Sequence, residues 1–158
     1  MSTSSAHPGM SARTYRTPIQ ETALVAGAVF ALVGILGFVP GITTDYSQLS
    51  FAGHGSGAML LGVFQVSVLH NIVHLLFGAA GLLMARTVPL SRYFLIGGGI
   101  VYLILSVYGL FIDQSGSANF IPINTADNWL HLALGVVLIV LGFAVTPRAG
   151  ENRGMSQM

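Results

Sequence analysis

Two short segments carry most of the chemistry that this 158-residue chain could perform. The first is Leu69-His70-Asn71-Ile72-Val73-His74-Leu75-Leu76-Phe77-Gly78, and the second is Asn128-Trp129-Leu130-His131-Leu132-Ala133-Leu134-Gly135. They share the pattern N-x-x-H-L-x-x-G, and both lie in strongly apolar surroundings. On a helix His70 and His74 are one turn apart, and Asn71 and His74 are three residues apart, so the three share a face. Asn128 and His131 repeat the second pair. His70 has no matching histidine, because the corresponding position is Asp127. Polar side chains inside a membrane generally face the interior of the bundle, find partners there, and are candidates for function.

Three kinds of chemistry are open to this set. Asn71, His74, Asn128 and His131 could form an interhelical hydrogen-bond network, each pair contributing roughly 0.6 to 2 kcal/mol. Facing imidazoles could instead ligate a b-type haem or a metal ion between helices two and four, since helical bundles host such sites and histidine is the commonest metal ligand. His70 or His74 could also act with Asp127 to relay a proton, or meet a quinone-like or lipid ligand from the outer side. One spacing weighs against ligation. His74 lies 12 residues before Arg86 and His131 lies 17 before Arg148. At about 1.5 Å per residue that separates them by roughly 7 Å in depth.

The elements that must position these residues are membrane spans. Charged residues are only 7% and apolar residues 53% of the chain, against about 25% charged in soluble domains. The net charge of +1 points to no nucleic-acid partner, and the lipid bilayer is the partner implied. There is no Cys, so disulfides, thiolate metal sites and thiol catalysis are excluded. No nucleophile elbow, phosphate loop or H-E-x-x-H occurs.

Four apolar runs are long enough to span. Residues 1–18 read as a polar, disordered tail containing His7. The first span is Thr22 to Val39, stopped by Pro40-Gly41. A mixed outer loop follows, with Gly53-His54-Gly55 marking His54 as a further outer-side candidate beside Asp127. The loop from Thr43 to Gly57 is longer than a helix connection needs. The second span starts near Ala58 or Val66 and runs to Ala85. Thr87 to Ser91 reads as a tight turn, and Tyr93 to Ile112 as the third span. Thr125 is the expected N-cap of the fourth span, which ends at Thr146 before Pro147. Residues 19–147 thus form the membrane domain, and 148–158 a short tail.

Placing the charges tests this topology. Arg13, Arg16, Arg86, Arg92, Arg148 and Arg153 all fall on one side, and Asp45, Asp113 and Asp127 on the other. That is the positive-inside pattern, and it puts both termini in the cytoplasm. Spans one and three also align. Gly27, Phe30, Gly34 and Gly37 match Gly99, Tyr102, Ser106 and Gly109, so the expected fold is all-α, a polytopic membrane protein of two similar parallel hairpin repeats. His74 and His131 should then face each other across the pseudo-axis.

The run Phe64 to Gly78, the loop pieces Pro40 to Tyr46 and Phe51 to His54, and the segment Asn124 to Leu132 resemble a bacterial membrane-protein family known as domain of unknown function 4383. The resemblance spans Thr22 to Thr146. It implies a small four-helix protein of the plasma membrane and brings no activity, cofactor or catalytic residue with it. The function expected from the sequence is therefore a non-enzymatic membrane component or an accessory subunit of a larger membrane complex, with other membrane-protein subunits as partners; the alternative is a redox-associated protein binding b-type haem or a quinone between helices two and four.

Overall fold

The computed structural model describes residues 16–145. His7, Arg13, Pro147, Arg148, Arg153 and the two tails lie outside the described residues, apart from residues 16–18. Four helices form the body: α1 (Pro18–Leu36), α2 (Val68–Met84), α3 (Val88–Phe111) and α4 (Thr125–Ala144). Three of them are long and apolar enough to cross a membrane, and α2, with 17 residues, is the shorter partner of α1. Large side chains such as Val25, Leu76, Ile104 and Phe143 are exposed on the outside of the bundle, which suits lipid as the surrounding solvent.

The pairs α1–α2 and α3–α4 each form an antiparallel hairpin held by small residues. A Cβ added at Gly27 would lie 2.8 Å from the Leu82 backbone, and one at Gly34 would lie 2.8 Å from the Asn71 carbonyl oxygen. In the second hairpin a Cβ at Gly99 would lie 2.7 Å from the Gly135 carbonyl oxygen. Such close approach is how helices associate where lipid removes the hydrophobic drive. The two hairpins superimpose in sequence. Gly27, Phe30, Gly34 and Gly37 on α1 correspond to Gly99, Tyr102, Ser106 and Gly109 on α3. Ser67, Asn71, His74 and Gly78 correspond to Asn124, Asn128, His131 and Gly135 on α2 and α4. Even the N-caps match: Ser67 accepts from the His70 amide and Asn124 from the Asp127 amide.

Aromatic residues join the hairpins. Phe30 stacks on Tyr102 with centroids 5.4 Å apart, and Phe77 and Phe94 pack edge-on against Phe30.

Several boundaries differ from the sequence reading. The apolar run from Ala58 belongs to no helix. It supplies β2 (Met59–Leu60) and β3 (Phe64–Gln65), which pair antiparallel with β1 (Thr43–Thr44) in the order β1-β2-β3. Gly62 and Leu61 turn this hairpin at φ of 69° and 55°, the left-handed region that Leu seldom occupies. Residues Thr87 to Ser91 are mostly the first turn of α3. Thr87 caps the Leu90 amide, and Pro89 suits a helix start, where its missing N–H costs nothing. The cap of α4 is Asn124, with Thr125 one residue inside.

Candidate functional site

The duplicated asparagines sit in duplicated notches. Asn71 is fully buried with its side-chain amide against Gly37, and Asn128 lies the same way against Gly109. No other residue would leave that space free, so glycine and asparagine form one unit in each hairpin. The carbonyl of the asparagine is also used twice. Gly34 approaches the Asn71 oxygen directly, while the Ser106 hydroxyl, at the matching position, donates to the Asn128 oxygen at 3.2 Å. Among the described residues the network open to Asn71, His74, Asn128 and His131, the first of the three readings, has no hydrogen bond joining the two pairs. Each asparagine is absorbed by its own hairpin, and Asn71 Nδ2 and Asn128 Oδ1 are buried without a hydrogen-bond partner among the described residues.

The histidines do gather at one level. Counted from the caps Ser67 and Asn124, His74 and His131 are each the seventh residue, about 10 Å into the bundle. The depth mismatch inferred from the arginines is therefore corrected. α2 has 17 residues and α4 has 20, and the difference falls at the opposite end. Tyr102 touches both histidines. Its ring lies 5.1 Å from that of His131, and its hydroxyl is 3.4 Å from His74 Nε2. His74 Nδ1 faces the His70 carbonyl at 3.1 Å. A carbonyl only accepts, so Nδ1 carries the hydrogen and Nε2 is left to accept from Tyr102 in the uncharged ring. His131 has no tyrosine hydroxyl at its Nε2, because Phe30 stands at the matching position, and it lacks the carbonyl contact as well. Its Nδ1 is buried without a hydrogen-bond partner among the described residues. Tyr102 was missed in the sequence, although its hydroxyl, absent from the matching Phe30, marked it.

His70 joins this group, with its ring 4.2 Å from that of His74 and its Nδ1 3.4 Å from Asn71 Oδ1. Asp127 is nearby but committed to structure. Its carboxylate accepts from the Asn124 amide at 2.9 Å and from the Gln65 amide at 3.1 Å. It thus completes a capping box for α4 and clasps β3 across the helix end. The Asn124 side chain adds a bond to the Val63 carbonyl. By contrast His54 is exposed in the loop between α1 and α2 and lines none of the cavities around the histidines. It lies apart from them. Asp113, also outside the bundle, has its carboxyl held below the usual range by the Ser115 hydroxyl and amide.

Two cavities flank the histidine group. One, of about 60 Å³, lies between α2 and α3 and is lined by His70, His74, Tyr102 and His131. At about 30 Å³ per molecule it has room for roughly two waters, far less than a haem ring. The other, of about 110 Å³, lies beneath Leu60, Leu61 and Phe64 of the three-stranded sheet and touches the same four residues plus Asp127. Among the described residues no group of three or more His, Asp or Glu is placed to hold a metal ion. What the arrangement offers is hydrogen bonding to a small uncharged group: a tyrosine hydroxyl and an unsatisfied imidazole nitrogen in an apolar setting.

No curated protein and no solved structure matches the chain. The family model for domain of unknown function 4383 matches residues 20–144, from the first turn of α1 to the end of α4 and through both asparagine–histidine pairs, and the chain belongs to that family.

Proposed function

We propose that the chain is a non-enzymatic component of a bacterial plasma membrane, an accessory subunit of a larger membrane complex, with both termini in the cytoplasm. The observation that carries this reading is the seating of Asn71 against Gly37 and of Asn128 against Gly109. The most conspicuous intramembrane polar residues serve to lock helices together, the role expected of a compact scaffold. Asp127 and Asn124 serve similarly, as cap and clasp. The orientation follows from the arginines. Arg16 precedes α1, and Arg86 and Arg92 flank the α2–α3 connection, while Asp45, Asp113 and Asp127 lie at the other end; basic residues favour the cytoplasmic side.

Mild detergent extraction followed by sizing tests the assignment. An accessory subunit migrates with other chains, well above its own 16.6 kDa plus the detergent belt. Migration as a lone monomer from native membranes would contradict it. The purified chain should show no Soret band, and His74→Gln or His131→Gln should lower thermal stability without releasing a chromophore. For orientation, the absence of Cys allows single cysteines at Ser47 and Ser117, which should react with an impermeant reagent added outside intact cells. Reaction only after lysis would reverse the topology.

A further inference from the structure

The two hairpins are alike, yet the clefts between them are not. Apart from its cavity of about 60 Å³, the α2–α3 cleft is filled: Phe77 lies against Gly98, and Phe94 lies against Gly81. At the matching positions of the α1–α4 cleft stand Leu134 for Phe77, Thr22 for Phe94 and Ala26 for Gly98. Two aromatic rings are thereby missing. An apolar groove of about 710 Å³ takes their place, running from Pro18 and Val145 at one end to Phe30, His74 and Leu130 at the other. From Pro18 to Val33 is about 22 Å at 1.5 Å per residue, so the groove runs most of the way through the hydrocarbon, whose thickness is about 30 Å. It shares Val33, His74, Leu130 and Leu134 with the cavity under the outer sheet.

We propose that this groove binds an isoprenoid quinone, with the tail lying between α1 and α4 and the ring at the inner end of the groove, where it meets the cavity beneath the outer sheet beside His131 and Tyr102. A long apolar tail fits a groove that opens sideways into lipid. The head must be small, because Leu60, Leu61 and Phe64 roof the cavity. It must also be uncharged. Arg16, Arg86 and Arg92, the described basic residues, lie at the other end of the bundle, so none of them is placed to pair with a phosphate or carboxylate at this end. It should be planar, to lie between Phe30, which lines the groove, and Tyr102, which lines the cavity. It should also carry a hydrogen-bonding oxygen. His131 is 6% exposed and lines the cavity, and its Nδ1 has no partner among the described residues; leaving such a group unsatisfied costs more than a bond is worth. A quinone carbonyl meets all four conditions. The assignment goes beyond the architectural reading above, which stands whether or not it holds.

The test titrates the full chain, purified in detergent, with menaquinone-4, and in parallel with oleic acid and with dioleoyl phosphatidylglycerol. The midpoint of thermal unfolding is the readout, since a ligand that binds only the folded state raises it. Menaquinone-4 should give a saturable rise that the other two do not. Leu134→Phe and Thr22→Phe, which copy the closed cleft, should each weaken the apparent affinity at least tenfold. His131→Leu should do so with the groove left open. If one blocking variant fails to fold, the other carries the test. An absent rise, an equal rise in the folded blocking variants, or an equal rise with oleic acid or the phospholipid would overturn the proposal.

Discussion

Phe30 and Tyr102 lie face to face, with ring centroids 5.4 Å apart and planes inclined by 13°. They are the same position in the two halves of the chain. The pseudo-symmetry axis therefore passes between them, and each ring also touches the histidine of its own hairpin, Phe30 with His74 and Tyr102 with His131. The single oxygen by which the two rings differ breaks the symmetry. It gives His74 a neighbour across the axis and leaves His131 without one.

Tyr102→Phe would make the axis symmetric. The lost contact to His74 is long, at 3.4 Å, and interhelical bonds in membranes average about 0.6 kcal/mol. The variant should thus fold and lose less than about 1 kcal/mol in equilibrium unfolding, within the range measured for such bonds. A loss of several kcal/mol would mean that the hydroxyl holds the hairpins together.

Two glycines close together in α3 should respond in opposite ways to alanine. Gly97 has open space where a Cβ would sit, so Gly97→Ala should be neutral or stabilising by up to about 1 kcal/mol through helix propensity. A Cβ at Gly99 would lie 2.6 Å from Ile139 Cγ1 and 2.7 Å from the Gly135 oxygen. Gly99→Ala should cost about 1–3 kcal/mol from overpacking. Unfolding in mixed micelles with increasing dodecyl sulfate measures both.

Removing the Asp127 carboxylate should loosen the outer sheet as well as the helix end. Asp127→Ala loses a cap interaction, about 0.5–2 kcal/mol, and frees the Gln65 amide. Limited proteolysis from the outer side should then cut residues 58–65 faster than in the unaltered chain. Unchanged cleavage would show that Asp127 does not clasp the sheet.

Much of this architecture could be read in the residues. Lipid-length apolar runs, arginines confined to one side, and the glycine spacing shared by the first and third spans led to four helices in two hairpins. The asparagine–histidine pairs were visible because polar residues are rare in such surroundings. Residues 58–65 were not legible as strands, since a short apolar run reads equally as the start of a buried helix; Gly57 and Gly62 were the only punctuation. The hydrogen-bond network open to the four polar residues failed for a steric reason. Gly37 and Gly109 draw each asparagine into its own hairpin, out of reach of the other. The open α1–α4 cleft was encoded in plain sight, as Leu134 and Thr22 standing where the other half has Phe77 and Phe94. It needed the structure to show that those positions share one interface.

The chain is a duplicated hairpin in which each asparagine sits on the glycine of its own half. Disulfide formation tests it most directly, because the chain has no Cys of its own and a bridge requires Cβ atoms about 3.5–4.5 Å apart. Cysteine pairs at positions 37 and 71, and at 109 and 128, should each oxidise within one chain in native membranes, whereas pairs at 37 and 128, or at 109 and 71, should not. Bridging by the crossed pairs, with none within the hairpins, would contradict the account.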